Sequence, residues 1–363
     1  MDSTTSRTSG EEDGYYNYED YLLYAVCQKE DVKAFGRIFL PVLYTFVCVF
    51  GLIGNGLLAG ILIRYIKLKS MTNIYLLNLA ISDLLFASTL PFWAAYAQSQ
   101  WYFGNIGCKV ITLIYTINLY SSILFITCMS LDRYLEIVWA FSTKNLRTTF
   151  KTCIICAVVW GISILASAPD SVFIKLQHHD GQCICIHDYG DEHMSVWKVI
   201  LQFKLNVLGF LLPFLAIFFF YLRIACIINK TGSKQKSKAL KLVVTLVVVF
   251  FVLWFPYNVV LFLHSLQDLR VISDCKISKD LDFALQVTES LAFVHSSLNP
   301  FLYAFVNKKF RKYLNNIAKN ICRRGTDYSL KFSSTSPPTT QNEMIELKMI
   351  QIIPETQPSV DVS

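Results

Sequence analysis

Seven long, nearly charge-free apolar runs constrain this chain more than any other feature: Ile38–Ile63, Ile74–Gln98, Val110–Leu131, Thr152–Pro169, Leu205–Leu222, Leu242–Leu263 and Phe283–Asn307, with one charge in the second and one in the last. Each is 18 to 26 residues long. A bilayer core about 30 Å thick needs roughly 20 apolar residues of helix, so each run spans once its flanks are added. A membrane β-barrel is excluded, because its strands would alternate over about ten residues whereas these runs are continuously apolar. Composition agrees: 54% of residues are hydrophobic and only 16% charged, against about a quarter charged in soluble domains. The expected fold is an all-α membrane protein, a seven-transmembrane helix bundle with a short amphipathic eighth helix. Its divisions are an acidic tail (1–37), the bundle (38–307), a membrane-surface helix (308–322) and a disordered tail (323–363).

Charge placement orients the bundle. Loops one, three and five carry Arg64, Lys67, Lys69, Lys144, Arg147, Lys151, Lys230, Lys234, Lys236, Lys238 and Lys241, and the segment after the last run adds Lys308, Lys309, Arg311, Lys312, Lys319, Arg323 and Arg324. The alternate loops hold only Lys175, Arg270, Lys276 and Lys279. By the positive-inside rule the first set is cytoplasmic and the N-terminus is outside. The net charge of +7 is thus a topology signal, and no nucleic-acid partner is expected. Met1–Gly10 has no apolar core of a signal peptide, so the first helix serves as the targeting signal of a multi-pass plasma-membrane protein.

Outside, Glu11, Glu12, Asp13, Glu19 and Asp20 interleave with Tyr15, Tyr16, Tyr18, Tyr21 and Tyr24. Such a tail is either merely solvated or a binding segment for a basic partner, with aromatic anchors and complementary charge. Tyrosine sulfation would sharpen the second use. Inside, Phe310, Leu314 and Ile317 share one side of a short basic helix suited to anionic lipid. Cys322 beyond it is a palmitoylation candidate or a free thiol. The cluster Ser333, Ser334, Thr335, Ser336, Thr339 and Thr340 reads as a tail regulated by phosphorylation, or as inert.

Topology sorts the 11 cysteines. Cys48, Cys128, Cys153, Cys156 and Cys226 fall in or at the ends of apolar helices as small hydrophobes, without metal-ligand company. Cys27, Cys108, Cys183, Cys185 and Cys275 lie outside, where thiols oxidise. Two bridges and one leftover thiol are expected: Cys108 to Cys183 or Cys185, and Cys27 to Cys275.

Polar groups at membrane depth are functional candidates because each is costly there. Asp83, Asn55, Ser122, His295 and Asn299 could enclose a sodium ion or proton, or form a hydrogen-bonded packing network. Glu289, nearer the outer end, either accepts a ligand's cation or snorkels to the interface. Prolines at 91, 169, 213, 256 and 300 weaken five helices, and Trp254 beside Pro256 would act as a lever. Asp132-Arg133-Tyr134 stands at the inner end of the third helix.

At these residues the chain resembles the rhodopsin-like G-protein-coupled receptors and, within them, the chemokine receptors. The motifs are Gly54-Asn55, Leu79-Ala80-Ile81-Ser82-Asp83, Thr89-Leu90-Pro91, Cys108, Asp132-Arg133-Tyr134, Trp254-Phe255-Pro256-Tyr257 and Asn299-Pro300-Phe301-Leu302-Tyr303. Finer likeness is to the atypical members that scavenge inflammatory CC chemokines, in the stretches 35–41, 129–138, 250–262 and 281–291. The resemblance implies a basic CC chemokine held first by the acidic tyrosines, its flexible end then meeting Tyr44, Trp93, Tyr115 and Glu289. It implies a switch through Trp254, Pro256, Asp83, Asn299, Pro300 and Tyr303 that frees Arg133 from Asp132 towards Tyr221. Partners would be an inhibitory-type G protein, arrestin, or both, with endosomal cycling. Two residues depart from the common pattern, Glu136 in place of alanine and Trp139 in place of histidine, so the implied coupling is open between signalling and scavenging. A transporter would show paired broken helices and an enzyme a catalytic cluster; neither is present, and no cofactor beyond the sodium ion near Asp83 is expected.

Overall fold

The computed structural model describes residues 29–66, 68, 70–139, 148–179, 181–189, 194–231, 234–269, 271, 274–307 and 310–319. Helix α1 (Glu30–Ile61) runs on into a π-helical turn (Leu62–Ile66). There follow α2 (Met71–Gln98), α3 (Gly104–Val138) and α4 (Thr149–Phe173). An antiparallel hairpin comes next, β1 (Ile174–His179) and β2 (Gln182–His187). Helix α5 joins Met194–Asn206, a π-helical turn Val207–Leu211 and Leu212–Thr231. Last come α6 (Lys234–Asp268) and α7 (Cys275–Val306).

These helices form an inside-out bundle. Buried positions include Asn55, Asp83, Asn118, Ser121, Ser122, His295, Ser296, Ser297 and Asn299, while Ile38, Val42, Leu165, Phe218 and Val252 face outwards. In hydrocarbon no apolar surface needs hiding, so the interior is where polar side chains find partners. Helix α3 is the hub, touching α2, α4, α5 and α6, and α1 closes the ring against α2 and α7.

Among the described residues, six helices are long and apolar enough to span a membrane by length and composition alone. The seventh, α7, is 32 residues long but falls below that mark. Its inward face carries Ser290, His295, Ser296, Ser297 and Asn299, all buried in the bundle, which lowers its hydropathy without exposing polar groups to lipid. Helix α1 begins at Glu30, eight residues before the expected bundle boundary, because Glu30 and Asp31 suit a helix N-terminus. A chain read as all-α also contains the hairpin. Gly181 sits in its turn at φ +76°, the left-handed conformation that glycine adopts without steric cost. The separate C-terminal unit is helical over 310–319, with Phe310, Leu314 and Ile317 at three- and four-residue spacing.

Motif glycines and caps have local reasons. A Cβ on Gly54 would lie 3.1 Å from Pro300 Cγ, so glycine lets α1 approach the α7 bend. Asp274 caps α7 by accepting from the backbone N–H groups of Lys276 and Ile277, and Thr148 caps α4 by accepting from Lys151 N. Both satisfy N–H groups that have no partner inside the helix.

Candidate functional site

Three polar assemblies occupy the bundle from outside to inside. At the outer end the hairpin is pinned over the helices. Cys108 of α3 is bridged to Cys185 of β2 across 77 residues of sequence, and this settles the open alternative in favour of Cys185. Cys183 is the leftover thiol, its sulfur 3.3 Å from His178 Nδ1 on the paired strand. Trp101 N donates to Cys183 O at 2.8 Å, Cys183 N to Gln100 Oε1 at 3.0 Å, and Leu176 N to Asn105 Oδ1 at 3.1 Å. Cys275 is disulfide-bonded, whereas Cys27, Tyr15, Tyr16, Tyr18 and Cys322 lie outside the described residues. Among the described residues no cluster of three metal-binding side chains occurs.

Beneath the hairpin is an aromatic chamber. Tyr44 of α1, Phe86 and Leu90 of α2 and Phe293 of α7 form a buried cluster against which Trp93 and Tyr115 pack. Tyr115 Oη donates to Glu289 Oε1 at 2.9 Å. The four chamber residues expected from sequence therefore come from α1, α2, α3 and α7 and meet in one place. Farther out, Lys29 and His264 lie 2.5 and 2.9 Å from the two oxygens of Asp282, tying the starts of α1 and α7 to the end of α6. Asp282 stands just outward of the apolar run of α7. Its burial alone would raise its pKa, but hydrogen bonds from His264 and Lys29, with their charge, bring it below the ordinary carboxylate value.

At mid-depth Asp83 accepts from Asn118 Nδ2 at 3.1 Å and from Asn299 Nδ2 at 2.8 Å. Asn118 also donates towards Ser82 and Ser122, and Ser82 and Ser121 hydroxyls are 2.6 Å apart. Asn118 was absent from the sequence-derived set, yet it is the centre of the network. Its signal was a lone amide inside an apolar run. Asn55 and His295 have other partners. Asn55 Nδ2 donates to Gly51 O and Ser296 O. His295 Nδ1 lies 2.6 Å from Ala292 O and 3.3 Å from Trp254 Nε1. The shorter contact needs a proton on Nδ1, so Trp254 is chiefly a packing neighbour, edge-on at 5.4 Å between ring centroids. Trp254 also stacks on Phe250 at 5.4 Å, and its carbonyl accepts from Asn258 Nδ2 at 2.9 Å. Pro256 in the same turn removes one backbone donor.

At the inner end Arg133 is held by three oxygens: Asp132 Oδ2 at 3.4 Å, Thr72 Oγ1 and Glu136 Oε2. Thr72 in turn donates to Asp132 at 3.1 Å. Tyr134 stacks on Phe220 at 5.2 Å and Trp139 Nε1 donates to Tyr134 Oη at 3.3 Å. Tyr303 is buried and accepts from Asn307 Nδ2 at 2.8 Å. Tyr221 is half-buried on α5.

A charged chamber, a buried acidic network and a restrained arginine stacked along one seven-helix bundle define a membrane receptor. Residues 54–303 match the 7 transmembrane receptor (rhodopsin family) model. The relatives include Atypical chemokine receptor 2 of Mus musculus, 45% identical over 92% of this chain and 89% of the relative. C-C chemokine receptor type 4 of Homo sapiens is 43% identical over 84% and 86%, and C-C chemokine receptor type 1 of Homo sapiens is 40% identical over 90% and 94%. The chain belongs to the rhodopsin family of seven-transmembrane receptors and, within it, to the chemokine receptors.

Proposed function

We propose that this receptor binds CC chemokines at the plasma membrane with its N-terminus outside, the acidic tyrosines of the tail holding the chemokine's basic core and the chamber receiving its flexible end. The observation that carries this reading is Glu289, a half-buried carboxylate whose hydrogen bond comes from a neutral hydroxyl, that of Tyr115. A carboxylate so placed retains its attraction for an incoming ammonium. Ligand occupancy changes the bundle only if it favours one conformation over another. The bistable part is Trp254 above the Pro256 bend, linked through Asp83, Asn299 and Tyr303 to Arg133. Release of Arg133 towards Tyr221 opens an inner cavity for an inhibitory-type G protein, and phosphorylation of the Ser/Thr tail recruits arrestin.

A sodium ion suits the oxygen-rich middle assembly, where Asp83 and Ser122 would hold it and its charge would restrain the inactive packing. Membrane lipid meets the helix at 310–319, with Cys322 as its palmitoylation candidate.

A second reading, uptake and degradation of chemokine without G-protein signalling through endosomal cycling, is favoured by Glu136, which adds a carboxylate to the restraints on Arg133. Labelled CC chemokine applied to cells expressing the receptor, with uptake and G-protein activation recorded together, separates the two. Toxin-sensitive activation supports signalling; uptake without it supports scavenging. Glu289→Gln should weaken binding at unchanged surface density, and normal binding by that variant would refute the chamber assignment.

A further inference from the structure

Helices α3 and α4 leave a groove of about 370 Å³ between their outer ends, lined by Lys109, Val110 and Leu113 of α3 and by Ser171 and Val172 of α4. The three α3 positions follow helical spacing, so one stripe descends from a cation to an apolar wall. Val110 is 47% and Val172 65% exposed, which opens the groove sideways, away from the bundle interior. Its depth follows from the sequence. The apolar run of α3 starts at Val110 and that of α4 stops at Pro169, so Lys109 and Ser171 stand where hydrocarbon gives way to headgroups.

The polar groups around this groove are unequally engaged. Ser171 Oγ donates to Ala168 O at 2.7 Å, so its proton is used within α4. Asp170, the neighbouring carboxylate, is held by Lys204 at 2.6 Å. Lys109 is half-buried and has neither an ion-pair nor a hydrogen-bond partner among the described residues. Its ammonium therefore brings three donors to the head of an apolar slot. A soluble phosphate would satisfy that cation but leave the wall wet, and a lipid without phosphate would cover the wall but leave the cation without an acceptor. We propose that the groove is a phospholipid site, with the headgroup phosphate on Lys109 and the upper part of one acyl chain along Val110, Leu113 and Val172. The site lies at the root of the hairpin, because Lys109 follows the bridged Cys108 and β1 begins at Ile174, two residues after Val172.

Photo-labelling of the full-length receptor in nanodiscs tests the site by position. The probe is a phosphatidylcholine with a diazirine near the glycerol end of one chain, and the control is a diacylglycerol with the same chain. In the parent the phospholipid should mark Val110, Leu113 or Val172, and the diacylglycerol should mark them about five-fold less, the factor that one attraction between a lysine and a headgroup supplies. Lys109→Gln should lower phospholipid labelling to the diacylglycerol level, and Lys109→Arg should keep it. Leu113→Trp fills the slot and should lower labelling with the charge still in place. Equal labelling by the two lipids, or equal phospholipid labelling of the parent and Lys109→Gln, would reduce Lys109 to a cation reaching for the interface over ordinary bilayer and overturn the proposal. Loss of labelling to excess glycerophosphocholine would assign the groove to a soluble phosphate and overturn it too. The comparison of the two lipids uses the parent alone, so it decides even if no variant folds.

Discussion

Replacing Glu136 with alanine should raise basal coupling to an inhibitory-type G protein. Arg133 has a side chain 13% exposed and Glu136 one 40% exposed, so the pair is only partly sheltered and solvent screening reduces its worth. Pairs of this spacing contribute about 0.2–0.5 kcal/mol on an open helix and up to about 1 kcal/mol at a surface. Thr72 and Asp132 continue to hold Arg133 after the substitution, so the restraint weakens and does not vanish. If the pair exists only while Arg133 is folded back, losing about 0.5–1 kcal/mol enriches the released conformation roughly 2- to 5-fold. Nucleotide exchange on a co-expressed inhibitory-type G protein, without ligand and at matched surface density, reads that shift. Glu136→Gln should give an intermediate value because the amide keeps a hydrogen-bond acceptor but not the charge. Unchanged or lower basal exchange in Glu136→Ala would show that Glu136 does not restrain Arg133.

Three further outcomes follow from geometry. Cys185→Ser should lower thermal stability and surface expression, because opening a bridge that spans 77 residues forfeits about 4–5 kcal/mol in the loop-closure account. Cys183→Ser should change neither, which a melting curve of each purified variant checks. Asp282 has a lowered pKa in the folded state, so its contribution is present above the ordinary carboxylate value near 4 and is lost as pH falls through the lower folded value. Melting temperature plotted against pH should therefore drop more steeply below about pH 4 in the parent than in Asp282→Asn. Gly54→Ala brings a Cβ to 3.1 Å from the rigid ring of Pro300 and should destabilise by about 1–3 kcal/mol, again read as a melting shift.

The helices were legible because membrane burial writes them as unbroken apolar runs, and even α7, the most polar of them, kept a run with Glu289 as its only formal charge. Its buried serines, His295 and Asn299 show why hydropathy alone undercounts: a helix facing other helices needs no apolar inner side. The hairpin leaves only a local trace, Asp180-Gly181 between two six-residue strands, which is short beside apolar runs of 18 residues or more. Chamber residues on four helices could be named from motifs, but motifs give no distances. Cys183 and Cys185 share one face of β2, so the choice between them depended on which position along the strand lies over Cys108. Asn118 is one amide among apolar neighbours, and its partners on α2, Ser82 and Asp83, are remote in sequence.

The π-helical turn at Val207–Leu211 has an evolutionary consequence. A π turn holds about one residue more than the α turn it interrupts, and one residue corresponds to about 100° of helical rotation. Because the extra residue is taken up within one full turn, deleting a single residue there would restore an ordinary α turn while the outer part of α5 and the inner part with Tyr221 keep their relative orientation. Gly209 in this turn lies so close to α3 that a Cβ would be 3.1 Å from Leu119, which anchors the joint on one side. The segment is thus a place where a one-residue insertion or deletion can be absorbed while both the outer and the cytoplasmic faces of α5 keep their register.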